Sequence, residues 1–281
     1  MNATHRTHRA HAGTRRPHVR FPIFRRLARE GWRSLLAWLV GIAAVLGLYL
    51  PLYPSMRTPE LSALIKSLPE TLTSVIGYDQ ITTGAGYTQA TFFGLLGFVL
   101  LIIACTARGA AFLAGAEESG RLELFLSHGV GRKQYALEAA AALLAAILTL
   151  ALAVCLLIRA LNGPAELDLE AGNVVAAVAA WAGLGMVSGT AALAAGALTG
   201  RTAWAIGAGA GIAVVGYALD ALGKNSASLD WLRVLSPYHW AYGQHPLTNG
   251  ADWLGLALLW GLSATLVGVS VAALSRRDIL G

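Results

Sequence analysis

Charge is what this sequence has least of. Asp, Glu, Lys and Arg make up 13% of its 281 residues, about half of the ~25% typical of a soluble domain, whose surface must face water. That excludes the one or two soluble domains the length would otherwise allow. Cysteine is nearly absent as well. Cys105 and Cys155 each sit inside an apolar run, so neither a disulfide framework nor a paired-thiolate zinc site is available. A phosphate-binding loop is missing, since Gly223-Lys224-Asn225 lacks both the upstream glycine and the hydroxyl residue that such a loop requires. No His-Glu-x-x-His spacing occurs. His5, His8, His11 and His18 belong to a polar tail over residues 1–20 that reads as disordered and basic rather than as a metal site. No catalytic residue, metal ligand or cofactor is therefore expected on this chain.

What is present is apolar sequence in long runs. Apolar residues reach 56% and the mean hydropathy is +0.59. About 20 apolar residues in an α-helix cross roughly 30 Å of hydrocarbon. Six such runs are found, near Ser34–Tyr53, Thr91–Ala114, Glu138–Ala160, Gly172–Leu198, Thr202–Leu222 and Asp252–Leu274. Thr199-Gly200-Arg201-Thr202 reads as a tight turn between the fourth and fifth. A β-barrel would need apolar and polar residues to alternate, and these runs are continuously apolar. The expected fold is an all-α integral membrane protein with six transmembrane helices over residues 21–281.

Placing the N-terminus in the cytoplasm puts sixteen of the 21 lysines and arginines inside, among them Arg25, Arg26, Arg29, Arg33, Arg121, Arg132 and Arg277. Only Arg57, Lys66, Arg159, Lys224 and Arg233 fall outside. The positive-inside rule selects that orientation, with both termini cytoplasmic. The outer connections carry acids instead, including Glu60, Glu70, Asp79 and Glu166. The basic excess reads as pairing with anionic headgroups of a lipid bilayer, not with nucleic acid. Arg108, Glu138, Arg159, Asp220 and Asp252 fall towards span ends, where they are expected to snorkel to the interface. No carboxylate is expected at mid-span, which argues against an ion-coupled secondary transporter.

Four segments stand out. In Phe21-Pro-Ile-Phe-Arg-Arg-Leu-Ala-Arg-Glu-Gly-Trp32, Phe21, Phe24, Leu27 and Ala28 keep helical spacing with Arg25, Arg26 and Arg29 between them. This reads either as an amphipathic helix on the inner membrane face or as the basic flank of the first span. Gly185-x3-Gly189, Gly196-x3-Gly200 and Gly207-x3-Gly211 allow close helix approach, within one subunit or between two. Lys224–Gly250 is long and aromatic, holding Pro237, Tyr238, His239 and Trp240; it reads as short helices at the outer interface or as an anchored loop. Finally, Ala116–Lys133 joins two acids, an amphipathic stretch and a Gly-x-Gly turn. It suits docking of a soluble partner, or is a plain connector.

The stretch Glu117-Glu-Ser-Gly-Arg-Leu-Glu-Leu-Phe-Leu-Ser-His-Gly-Val-Gly-Arg132 closely resembles the cytoplasmic signature of type-2 ATP-binding-cassette permeases. Leu235-Ser-Pro-Tyr-His-Trp-Ala-Tyr-Gly-Gln-His-Pro-Leu-Thr-Asn-Gly250 looks like the last outer loop of their bacterial drug and polyketide-antibiotic exporter branch, and Arg276-Arg-Asp-Ile279 is similar to its ending. The resemblance implies a transport subunit of the plasma membrane that exports a hydrophobic or amphipathic substrate. ATP and Mg would be bound by a separate cytoplasmic ATPase subunit. Glu117, Glu118, Gly120, Leu122, Glu123 and Leu124 would form the coupling element to it, helped by the interfacial helix. Many relatives look like two such halves fused; this sequence shows one, so a second copy or a homologue is expected beside it. A membrane scaffold or sensor, moving no substrate, is the other alternative.

Overall fold

A computed structural model describes residues 21–56, 83–127 and 130–277. The basic tail, the outer acids Glu60, Glu70 and Asp79 with Arg57 and Lys66, and His128, Gly129, Asp278 and Ile279 of the quoted motifs lie outside the described residues.

Every regular element described is helical. We number the helices α1 (Pro22–Tyr49), α2 (Gly84–Phe112), α3 (Ala114–Glu118), α4 (Arg121–Ser127), α5 (Arg132–Asn162), α6 (Ala171–Thr199), α7 (Thr202–Asn225), α8 (Pro237–Tyr242), α9 (Pro246–Asn249) and α10 (Trp253–Arg276). Six of them, α1, α2, α5, α6, α7 and α10, are long and apolar enough to cross a membrane.

Helix α6 forms the axis of the bundle. Its most apolar window is 89% buried, against 17% for those of α1 and α10. The cause is compositional: a helix that is apolar all round seeks burial, and Ala and Gly let neighbours approach closely. A Cβ on Gly189 would lie 2.8 Å from Leu143 of α5, and one on Gly109 of α2 would strike the Gly189 carbonyl. The first of the small-residue pairs therefore packs within the chain. Gly207 and Gly211 differ, since no described atom beyond the local helix backbone lies within 4 Å of where their Cβ would be.

Helix α1 is one unbroken helix of 28 residues. The segment Phe21–Trp32, which alone reads as an interfacial helix, is continuous with the first span. A single inward stripe, Ile23, Leu27, Gly31, Leu35, Leu39, Ile42, Leu46 and Leu50, runs its length at three- and four-residue steps. At 1.5 Å per residue α1 is about 42 Å long, so it overshoots a ~30 Å core by about 12 Å.

Spans α2 and α5 begin six or seven residues before the apolar runs do, because a helix can continue past the hydrocarbon while hydropathy cannot. In α2, residues Gln89–Leu96 form a π-helical segment. Widened turns misalign backbone carbonyls. Here Tyr238 Oη donates to the Gly94 carbonyl at 3.1 Å, and Trp181 Nε1 donates to that of Gly97 at 3.0 Å.

Candidate functional site

The arginine-rich end of the bundle gathers the start of α1, the end of α2, helices α3 and α4, the start of α5, the α6–α7 turn and the end of α10. Helix α2 stops at Leu113 (φ −121°, ψ −68°). A second break follows at Gly120, whose φ of +69° suits glycine. Two short helices, α3 and α4, result.

Both acids of α3 make contacts within the chain, Glu117 half-buried and Glu118 at the surface. Glu117 accepts from Arg277 Nη2 at 2.6 Å and from Arg277 Nη1 at 3.2 Å. Arg277 Nη1 also donates to the Ala197 carbonyl at 3.0 Å, and Arg132 donates to the Arg277 carbonyl. Glu118 accepts from the Thr202 backbone N–H at 2.8 Å and from the Thr202 hydroxyl at 2.7 Å. Thr202 opens α7, whose first N–H groups have no partner within the helix and whose dipole favours an anion. Those Thr202 bonds hold the Glu118 carboxyl below its ordinary range. Thus α3 is tied to the end of α6, the start of α7 and the end of α10.

Glu138 does the same for α1. It is 4% exposed and accepts from the Phe24 N–H at 2.9 Å and from Gln134 Nε2 at 2.7 Å. Phe21, at the N-cap, offers no side-chain cap of its own. Arg108, Glu138 and Asp220 do not snorkel: each is at most 8% exposed. Sequence position alone placed them near water; helices that overrun the hydrocarbon bury them against neighbours instead.

Helix α4 leans on α1. Arg121 meets Glu30 at 3.4 Å, Glu30 meets Arg26 at 2.7 Å, and the Arg26 guanidinium lies 4.7 Å over the Phe125 ring. Tyr135 packs beside Phe125 and donates to the Phe112 carbonyl at 2.8 Å. The sequence-predicted coupling residues therefore divide. Glu117 and Leu122 are withdrawn into the chain, Glu118 bonds Thr202 while remaining exposed, and Gly120, Glu123 and Leu124 lie on the surface. Of the interfacial set, Phe21 is 64% exposed, Phe24 and Leu27 pack on the core, and Arg25 is exposed with Arg26. Sequence reasoning missed Glu30, Glu138, Thr202 and Arg277 as members of this site. Glu138, four residues after Gln134, carried no motif to mark it.

The opposite end carries the predicted outer loop, folded as a 3₁₀ segment Ala227–Leu235 followed by α8 and α9. Pro237 and Tyr238 are buried. Tyr238 meets Phe98, Tyr217 and Tyr242 edge-on, with ring centroids 5.1–5.2 Å apart. Trp240 Nε1 donates to the Val234 carbonyl at 2.7 Å. His239 Nδ1 lies 3.1 Å from Asp220, whose other oxygen meets Lys224 at 2.7 Å. Burial and nearby Arg233 push the His239 imidazole below its ordinary range. Among the described residues no group of three or more metal-ligating side chains occurs.

Over residues 24–274 the chain matches the model of the family described as "Multidrug efflux system permease Rv1217c, C-terminal domain". No curated protein matches it.

Proposed function

The chain belongs to the multidrug efflux system permease family, and from that premise we propose that it is the membrane subunit of an ATP-driven exporter. Its cargo is hydrophobic or amphipathic, because the spans offer few fixed charges to hold an ion. ATP and Mg bind a separate ATPase subunit. The arginine-rich end faces the cytoplasm of a bacterium, as the positive-inside rule requires. The first two turns of α1, which overshoot the hydrocarbon, lie at the inner interface. Residues 21–281 act as one six-span unit behind a basic tail, and a second copy or a homologue completes the pathway. The open flank of α7 at Gly207 and Gly211 supports that pairing.

One observation carries the coupling reading. An exposed short helix, α4, follows directly on a helix wired by carboxylates to α6, α7 and α10. An ATPase pressing on Glu123 and Leu124 would shift α3 and α4, and the Glu117 and Glu118 contacts would carry that shift to the spans. A near-complete switch between inward- and outward-facing states takes a bias of about 5.5 kcal/mol. Ion-coupled secondary transport is less well supported, because the two carboxylates buried among the described residues both have partners: Glu138 holds Phe24 and Gln134, and Asp220 holds Lys224 and His239.

The test is co-purification of a vanadate-sensitive ATPase with the tagged chain from mildly solubilised membranes. Glu123→Arg/Leu124→Asp alters only the exposed face of α4 and is expected to abolish co-purification while the chain stays folded. If the native chain brings no ATPase, the exporter reading fails and a membrane scaffold or sensor takes its place. If the double variant brings as much as the native chain, docking lies elsewhere.

A further inference from the structure

Arg108 is the one strongly buried cation on α2. It is 8% exposed. Its Nη2 donates to the Gly31 carbonyl at 3.2 Å. Its Nε is buried without a hydrogen-bond partner among the described residues. Gly31 makes room for this approach, since a Cβ there would lie 3.1 Å from Arg108 Nη1. A buried cation lacking a counter-charge is unfavourable, and helix-packed arginines normally find a carboxylate or an anion.

The guanidinium borders a cleft of about 120 Å³ between α1, α2 and α5. No carboxylate lines it among the described residues. The remaining lining is apolar apart from Thr149, and includes Leu35, Phe112 and Ala145. Ala145 is half-buried and Thr149 exposed on the outer flank of α5. The cleft thus opens sideways, where the bilayer lies, and extends from Ala142 to Thr149, about 10 Å along α5. It is too small for a drug-sized molecule, whose pockets run to roughly 300–1,000 Å³. The same end of α1 exposes Arg25, Arg26 and Arg29, which concentrate anionic headgroups.

We propose that the cleft between α1, α2 and α5 holds the phosphate of an anionic phospholipid on Arg108, with an acyl chain lying along Leu35, Ala145 and Thr149. In the orientation proposed above this lipid comes from the inner leaflet. The site lies at the seam where α1 meets α2 and α5, so an occupied cleft fixes α1 to the rest of the bundle.

The experiment is native mass spectrometry of the full chain released from nanodiscs of phosphatidylglycerol or of phosphatidylcholine. Wild type is expected to retain one phosphatidylglycerol per chain and no phosphatidylcholine. Ala145→Phe fills the cleft from its open side while leaving Arg108 itself unsubstituted, and is expected to lower retention at least tenfold. Arg108→Gln is expected to do the same, and Arg108→Lys to keep part of it. Arg25→Gln/Arg29→Gln, on the exposed surface, is expected to keep the lipid. Equal retention of the two lipids, or loss in the surface variant but not in Ala145→Phe, overturns the proposal. Displacement of the lipid by glycerol phosphate at equal concentration overturns the lipid as occupant, because a chain-free phosphate would then suffice. The readout is binding, so it stands or falls independently of transport.

Discussion

Glu117 and Arg277, 160 residues apart in sequence, close on one another through two hydrogen bonds of 2.6 and 3.2 Å, and so fasten the break after the second span to the end of the last. The pair is partly shielded, with side chains 16% and 30% exposed. A charge-assisted, two-point contact of this kind contributes about 1–3 kcal/mol. Glu117→Ala and Arg277→Ala are each expected to lower the melting temperature of the purified chain. The double substitution should cost less than the sum of the two, with a coupling near 1 kcal/mol in a double-mutant cycle. Additive losses would mean that the contact does not act in the folded protein.

Gly200 stands beside this pair and is constrained twice. Its φ is +67°, and a Cβ there would lie 2.5 Å from Glu117 Oε1 and 2.7 Å from Arg277 Nη2. Gly200→Ala is expected to destabilise by about 2 kcal/mol, combining left-handed backbone strain with displacement of the ion pair. Glu117→Ala in the same chain should relieve the crowding and leave the backbone component. Thermal unfolding of the three variants separates the two contributions.

Much of this was legible in the sequence, and the boundary of legibility is physical. Six spans follow from hydropathy, because the bilayer sets a length that apolar runs must meet. Gly200 was readable as a turn, since glycine next to Arg201 between two apolar runs has few other uses. The acids of α3 were readable as important, but their contacts within the chain were not. Motif resemblance marks Glu117 and Glu118 as part of a coupling element; the fold adds a contact within the chain for each, Glu117 to Arg277 and the exposed Glu118 to Thr202. Such pairings join residues 84 to 160 positions apart, and no local period encodes them. Likewise Phe21–Trp32 has the spacing of a separate amphipathic helix; only the stripe from Ile23 to Leu50, packed on α2 and α5, shows it to be the first part of the span.

The Glu118–Thr202 contact has a pH signature. Hydrogen bonds from Thr202 lower the folded-state pKa of Glu118 from its ordinary 4.5. Deprotonated Glu118 is thus favoured by folding. Its contribution is fully present above about pH 4.5 and is lost as pH falls through the lower folded value. Glu118→Gln is expected to melt below wild type at pH 7, and the two should converge as the pH drops below 4. A constant gap across that range would show that the carboxylate charge is not what caps α7.

His239 gives the opposite end of the molecule a pH response at milder acidity. Burial and the Arg233 guanidinium lower its pKa from 6.5, outweighing the attraction of Asp220. Lys224 faces the same site and also disfavours the cation, and His245 is lowered in the same way. The folded loop therefore prefers neutral imidazole. Its contribution is intact above about pH 6.5 and is lost as pH falls towards the depressed folded value. Protonation would place a cation between Arg233 and Lys224, straining α8 against α7 where Ser236 donates to the Gly216 carbonyl at 2.6 Å. Hydrogen exchange of residues 227–249 is the direct measurement. Protection should fall between pH 7 and pH 5 in wild type. His239→Gln keeps a polar side chain but cannot gain the charge, and should lose most of that pH dependence; His245→Gln should remove a smaller part. An unchanged profile in the His239→Gln chain would assign the response to another group.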